Sequence, residues 1–180
     1  KLKSMNISIF GLGYVGAVSC AAFSKLQHKV IGVDVSQHKV DLINQGKSPI
    51  IEKDLEKYIE LGVNNCLISA TKDLHLAVND TELSIICVGT PSNKNGSLNL
   101  EYVYNVCQDI AREIKLKKVY HSIVIRSTVT PGTIKKCIEI IEQHSGKIHS
   151  KEFGVASNPE FLREGTAMDD FFNPPYTIFG

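Results

Sequence analysis

The sequence predicts an α/β fold, a doubly wound and mostly parallel sheet with helices on both faces, and three observations carry that prediction. Short apolar runs alternate along the chain with longer stretches whose apolar residues recur at helical spacing. The run Leu83-Ser84-Ile85-Ile86-Cys87-Val88 is apolar at nearly every position, as a strand buried on both faces requires, and reads as central. Residues 7–34 hold a strand, a glycine-rich turn, a helix and a second strand in one unit. Right-handed crossovers between such units build the doubly wound sheet.

Each element follows from its own signals. Residues 7–10 form the first strand, the turn Gly11-Leu12-Gly13-Tyr14-Val15-Gly16 leads into a helix, and residues 30–33 form the second strand. Residues 36–45 read as a helix with Val40 and Ile43 inward, ending at Gly46. A loop over 47–52 precedes a short amphipathic helix carried by Leu55, Tyr58 and Ile59 that closes at Gly62. Residues 66–70 are a third strand and 83–88 the fourth. Gly89-Thr90-Pro91 ends it, and a polar loop around residues 93–97 precedes a helix with Val103, Cys107, Ile110 and Ile114 on one face. Strand five covers 122–126. Thr130 and Pro131 are read as N-cap and first-turn proline of a helix with Ile134, Cys137, Ile138 and Ile141 inward, stopping near Gly146. Strand six covers 153–157, and residues 176–179 look like the start of another strand. That ending suggests a piece of a longer protein, and residues 1–4, ahead of Met5, read as a cloning remnant. The working count is one domain over 1–180.

The glycine turn is the chemically informative part. Gly11 permits a tight turn, Gly13 lets backbone approach a pyrophosphate, and Gly16 allows close packing of helix on strand, while the helix N-terminus offers N–H groups and a partial positive charge. With a strand before, a helix after and Asp34 closing the second strand, the motif meets its structural context and reads as a Rossmann-like dinucleotide site. A carboxylate there accepts hydrogen bonds from ribose hydroxyls and repels a 2′-phosphate, so NAD is favoured over NADP. Lys39 either sits beside that ribose or is a solvated helix lysine.

Ligands bind such sheets outside the carboxyl ends of the strands, and the residues after each strand are the glycine turn, Asp34, Thr90, Thr128 and Asn158-Pro159-Glu160. These fall along one edge and predict a cleft. Thr128 is either a donor to a nicotinamide amide, a water or a developing oxyanion, or a cap, a role that suits Thr130 better. Glu160 and Glu164, four apart, share a face if their segment is helical; by spacing alone they also suit a solvated helix start. The intervening Phe161-Leu162 does not suit a fully solvated face.

Composition narrows the partners. Twenty Lys and Arg against nineteen Asp and Glu, a net charge of +1 and no basic block disfavour nucleic acid and anionic membranes. No apolar run approaches the roughly 20 residues that span a bilayer and no signal peptide precedes the first strand, so a cytoplasmic protein is expected. The five cysteines are odd in number, widely spaced and set mostly in apolar patterns. Neither disulfides nor a metal site are expected from them or from the six histidines.

Taken together, Phe10-Gly11-Leu12-Gly13-Tyr14-Val15-Gly16, Gly32-Val33-Asp34, Ile43-Asn44-Gln45-Gly46-Lys47-Ser48-Pro49-Ile50, Cys87-Val88-Gly89-Thr90-Pro91, Arg126-Ser127-Thr128-Val129 and Asn158-Pro159-Glu160-Phe161-Leu162-Arg163-Glu164 resemble the N-terminal NAD domain of the UDP-glucose/GDP-mannose 6-dehydrogenase family. The resemblance covers essentially the whole chain. Leu12 in the glycine turn and the loop Thr90-Pro91-Ser92-Asn93-Lys94-Asn95-Gly96 look more like the GDP-mannose branch than the UDP-glucose branch.

The resemblance implies oxidation of C6 of a nucleotide-bound sugar from alcohol to acid, in two hydride transfers to NAD through cysteine-bound intermediates. It further implies that Tyr14, Val15, Asp34, Lys39, Thr90 and Thr128 contact NAD, that Glu160 serves acid–base chemistry, and that Phe161, Leu162, Arg163 and Glu164 line the nucleotide sugar. The family's nucleophilic cysteine lies beyond position 180, so this chain alone is expected to be inactive, and the complete enzyme is expected to be a homodimer or larger. A UDP-sugar substrate, another NAD oxidoreductase and a non-catalytic NAD-sensing module remain the rival readings. A stop codon after Gly180 in the native gene would favour the last.

Overall fold

The computed structural model describes residues 3–180. In chain order these form β1 (Asn6–Phe10), α1 (Tyr14–Lys25), β2 (Lys29–Val33), α2 (Gln37–Asn44), α3 (Leu55–Asn64), β3 (Ile68–Thr71) and α4 (Leu74–Asn79). They continue with β4 (Leu83–Ile86), α5 (Glu101–Ile114), β5 (His121–Ile125), α6 (Thr133–Ser145), β6 (Phe153–Ser157) and α7 (Ala167–Phe172). The strands make one six-stranded sheet in the order β3-β2-β1-β4-β5-β6, and every pairing is parallel. This is the expected Rossmann-like architecture, with β1 and β4 at its centre. The chain runs outward from β1 through β2 to β3, then returns to β4 on the other side of β1, so the crevice of the sheet lies between the carboxyl ends of β1 and β4.

Each face of the sheet buries its own core. Ile7, Ile9, Val30 and Ile85 meet α1, α2 and α3 on one face through Ala17, Val18, Ala21, Val40, Ile43 and Ile59. Phe10, Ile86, Ile123 and Ile125 meet α4, α5 and α6 on the other through Ala77, Val103, Cys107, Ile110, Cys137 and Ile141. Small residues along α1 keep the helix close to the strands, which is what brings its first turn against the β1 end.

Several boundaries differ from the sequence reading. Gly62 does not close α3 but sits buried inside it, where an added Cβ would run into Ile68 and the Ser24 hydroxyl. The positive φ after the helix falls instead on Cys66 (φ 55°), so β3 starts at Ile68 rather than at residue 66. The N-cap of α6 is Gly132 (φ 88°), not Thr130, because residues 130–133 first make a turn closed by the Thr133 amide on the Thr130 carbonyl at 3.2 Å.

The short helices α4 and α7 lack sequence readings, since each is six residues long and shows too little periodicity. No strand is formed at 176–179; only Gly180 exchanges both backbone hydrogen bonds with Ser157, at 2.7 and 3.0 Å, an antiparallel pair at the edge of β6. Glu160 and Glu164 do not share a helix face, because their segment is an irregular loop ahead of α7. Of residues 1–4, Lys1 and Leu2 lie outside the described residues, while the Ser4 hydroxyl donates to the Gln27 carbonyl at 2.7 Å.

Candidate functional site

The turn after β1 is shaped by three different demands on its glycines. Gly11 has φ +94°, and a Cβ there would lie 2.9 Å from the Cys87 carbonyl oxygen, so both conformation and space exclude a side chain. Gly16, in the first turn of α1, packs directly on the Gly11 carbonyl and leaves no room for a Cβ. Gly13 differs from both: nothing lies within 4 Å of where its Cβ would be. The fold itself does not require glycine at this position, and the open space lies against the N-terminus of α1, whose first amides have no partners within the helix. That is the room a pyrophosphate needs.

Asp34 is drawn onto this turn. Its carboxylate accepts from the Leu12 amide at 2.7 Å and the Ser36 amide at 2.9 Å, and Lys39 Nζ lies 3.4 Å from Oδ2. The carboxylate is nearly covered, at 8% exposure, while Lys39 remains partly exposed at 36%. The structure therefore makes Lys39 a partner of Asp34 rather than a free solvated lysine, and the pair stands at the end of β2 where a ribose would arrive.

Across the crevice, Ser127 ties the ends of two neighbouring strands together, its hydroxyl donating to the Val88 carbonyl at 2.7 Å. Thr90 follows β4 and is half-buried; Thr128 follows β5 and is exposed, so neither is spent in the core. Val15, in the first turn of α1, packs against the core, and its carbonyl accepts from the Ser19 hydroxyl at 2.7 Å. Cys87 lies beneath the glycine turn, where burial pushes its thiol up to about 12. It is not a thiolate nucleophile. Cys20, Cys107 and Cys137 are likewise buried, and Cys66 is exposed.

The loop after β6 forms the far wall. A cleft of about 220 Å³ is bounded by Arg126, Asn158, Glu160, Phe161, Leu162 and Phe171 among others. Glu160 turns back on its own chain, Oε2 accepting from the Leu162 amide at 2.6 Å. Phe161 stacks edge-on with Tyr176, ring centroids 4.8 Å apart. Arg126 donates to Asn158 Oδ1 at 2.6 Å and lies 5.1 Å from the Phe171 ring centroid, with its Nε buried and unpartnered. Arg163 is tied to Asp170, Nη2 to Oδ1 at 2.6 Å and Nε to Oδ2 at 3.2 Å, while the Arg163 amide and the Thr166 hydroxyl bind the same carboxylate. The Arg163 guanidinium holds the Asp170 carboxyl well below the usual carboxylate range. Glu164 is exposed on the same loop.

Two residues with no sequence signal hold the loop after β6 in place. Glu52 accepts from the Tyr14 hydroxyl at 2.6 Å and from the amides of Gly165 and Ala167 at 2.7 and 3.2 Å. Burial opposes its ionisation, and the hydrogen bonds from Tyr14, Gly165 and Ala167 outweigh that, leaving the carboxyl below its ordinary value. Burial and the neighbouring Glu52 raise the Tyr14 phenol. Asp170 is the second such residue. Glu52 acts on partners that only the folded chain brings near, whereas Asp170 binds residues four and seven positions before it.

Comparison with known proteins bears on the family and the fold. The sequence profile described as "UDP-glucose/GDP-mannose dehydrogenase family, NAD binding domain" matches residues 5–180. The GDP-mannose 6-dehydrogenase of Pseudomonas aeruginosa is 53% identical over 177 residues, covering 98% of this chain and 41% of that protein. A crystal structure of a ternary complex of GDP-mannose dehydrogenase from Pseudomonas aeruginosa superposes with a TM-score of 0.96 at 53% identity, over 98% of this chain and 41% of that one. A UDP-glucose dehydrogenase from Pyrobaculum islandicum gives 0.93 at 36% identity, over 99% of this chain and 41% of that one. The chain thus spans about two fifths of the length of the relatives it matches.

Proposed function

The chain belongs to the UDP-glucose/GDP-mannose dehydrogenase family as its NAD binding domain, and from that premise we propose that it serves the oxidation of a nucleotide sugar at C6, GDP-mannose to GDP-mannuronate. The observation that carries the choice of substrate is the gap in identity. Relatives named GDP-mannose 6-dehydrogenase are 50% to 53% identical to this chain, against 36% and 37% for two named for UDP-glucose.

The residues of the β1 turn fit the cofactor: Gly13 leaves space at the α1 N-terminus, and Asp34 presents a carboxylate at the end of β2. Tyr14, Val15, Lys39, Thr90 and Thr128 complete that cofactor site in this reading. NAD held there would supply the hydride acceptor for oxidation of the sugar carbon. Glu160 moves protons at the reacting centre, a service worth about 10² to 10⁴ in rate. Phe161, Leu162, Arg163 and Glu164 line the nucleotide sugar. The reading includes a cytoplasmic location and a homodimer or larger assembly for the full-length gene product, which fractionation and light scattering check.

Turnover of the full-length gene product on a panel of hexose nucleotides tests the substrate directly. GDP-mannose is expected to give NADH at the highest kcat/KM; preference for a UDP-hexose would replace the substrate, and indifference to all would remove the reaction class. In the same assay Glu160→Gln is expected to keep NAD affinity while acid formation stops, whereas normal turnover of that variant removes Glu160 from the chemistry.

A further inference from the structure

The loop over 47–54 lies between α2 and α3, far in sequence from both the glycine turn and the residues after β6, yet one of its carboxylates touches both. Glu52 Oε2 takes the Tyr14 hydroxyl at 2.6 Å and the Gly165 amide at 2.7 Å, and Oε1 takes the Ala167 amide at 3.2 Å. Tyr14 begins α1 directly after Gly13, and its hydroxyl also lies 3.1 Å from the Arg163 carbonyl oxygen. A tyrosine on the glycine turn and the backbone of residues 163–167 therefore share one anion.

We propose that Glu52 is a positioning residue that links the cofactor site to the substrate loop, so that a dinucleotide seated on residues 11–16 orders residues 163–167. The proposal rests on NAD occupying that turn. A ligand held against Gly13 restricts the neighbouring Tyr14 ring. Tyr14 then fixes the Glu52 carboxylate, and the carboxylate fixes the Gly165 and Ala167 amides. Charge-assisted hydrogen bonds to a partly desolvated carboxylate are the strong members of their class, so the link is stiff enough to transmit order. Asp170 holds the same loop through Arg163 and Thr166. It makes no contact with the glycine turn, so the polar links between the two regions are Glu52 and the contact of the Tyr14 hydroxyl with the Arg163 carbonyl.

Amide hydrogen exchange at Gly165 and Ala167, read with and without NAD at concentrations shown by calorimetry to saturate each variant, separates the possibilities. In the unaltered chain, protection at both amides is expected to rise when NAD binds. Glu52→Gln is expected to lower basal protection about tenfold, the loss of one charge-assisted bond, and to abolish the NAD-dependent rise. Tyr14→Phe leaves the Glu52 carboxylate on both amides, so basal protection is kept while the rise disappears. A purely structural Glu52 would leave the rise intact in Glu52→Gln, carried by the direct contact of the Tyr14 hydroxyl with the Arg163 carbonyl. Persistence of the rise in either variant, or no rise in the unaltered chain at saturating NAD, overturns the proposal. Absence of any NAD binding to the unaltered chain shows in the calorimetric trace itself and removes the reading of the cofactor site on which the proposal stands.

Discussion

The two ends of the central strands treat polar groups in opposite ways. At the amino end of β4 and β5, Ser8, Thr81, Ser84 and His121 are buried and close a hydrogen-bonded network with Lys117. Lys117 Nζ donates to His121 Nδ1 at 3.0 Å and to the Val78 carbonyl at 2.6 Å, and it also reaches the Thr81 carbonyl. A lysine is only a donor, so Nδ1 accepts and Nε2–H donates to the Ser84 hydroxyl at 2.8 Å, which meets the Ser8 hydroxyl at 2.8 Å. At the carboxyl end, Gly13 faces open space and Thr128 is exposed. A closed network stabilises the fold and offers nothing to a ligand. An open edge costs some stability and leaves donors and space for one.

That contrast is testable by damaging each end in turn. The largest effect is expected from acid at the closed end. Burial and the Lys117 charge lower the His121 pKa to about 3, against an unfolded value near 6.5. The unfolded chain binds the proton first, so the stability held by the neutral ring is complete above about pH 6.5 and drains as pH falls toward 3, by up to about 4–5 kcal/mol. Urea unfolding across that range checks it, and His121→Gln is expected to flatten the slope without altering NAD affinity at pH 7.5.

Next comes Gly16→Ala at the open end. Its Cβ collides with the Gly11 carbonyl, so α1 or the turn has to move, at a cost of about 3 kcal/mol and with NAD binding lost. Asp34→Asn keeps one acceptor for the Leu12 and Ser36 amides and loses the charge that faces Lys39. About 1–2 kcal/mol of stability is expected to go, together with most of the preference for NAD over NADP, both read from thermal unfolding with each nucleotide present. The smallest stability change belongs to Gly13→Ala, within about 0.5 kcal/mol because the added methyl meets no protein atom, yet NAD affinity falls at least tenfold if that space is the ligand's.

The same contrast explains what the sequence disclosed. The open edge is written locally: a positive φ at Gly11, a close approach at Gly16 and an acid at the next strand end all leave fixed spacings. The buried strands and the amphipathic α5 are legible because apolar periodicity over several residues reports which side is covered. The closed network is not legible, since Ser8, Ser84 and His121 stand in separate strands and only the sheet register makes them neighbours. Glu52 escapes for the same reason, its partners lying on distant segments, while Asp170 escapes because Arg163 and Thr166 stand before it in an irregular loop that shows no periodicity. The misplaced start of α6 has a different origin: Thr130-Pro131 is a sound capping pair, but Gly132 in the left-handed region lets the chain make one more turn before the helix begins.

The claim that the carboxyl edge is an open NAD site with Asp34 as its selector is tested most directly by calorimetric titration of the chain with NAD and, separately, NADP. Saturable binding of NAD, with NADP weaker by roughly tenfold or more because its 2′-phosphate meets the Asp34 carboxylate, is the expected result. Equal affinity for both nucleotides would contradict the role of Asp34, and binding of neither would contradict the site.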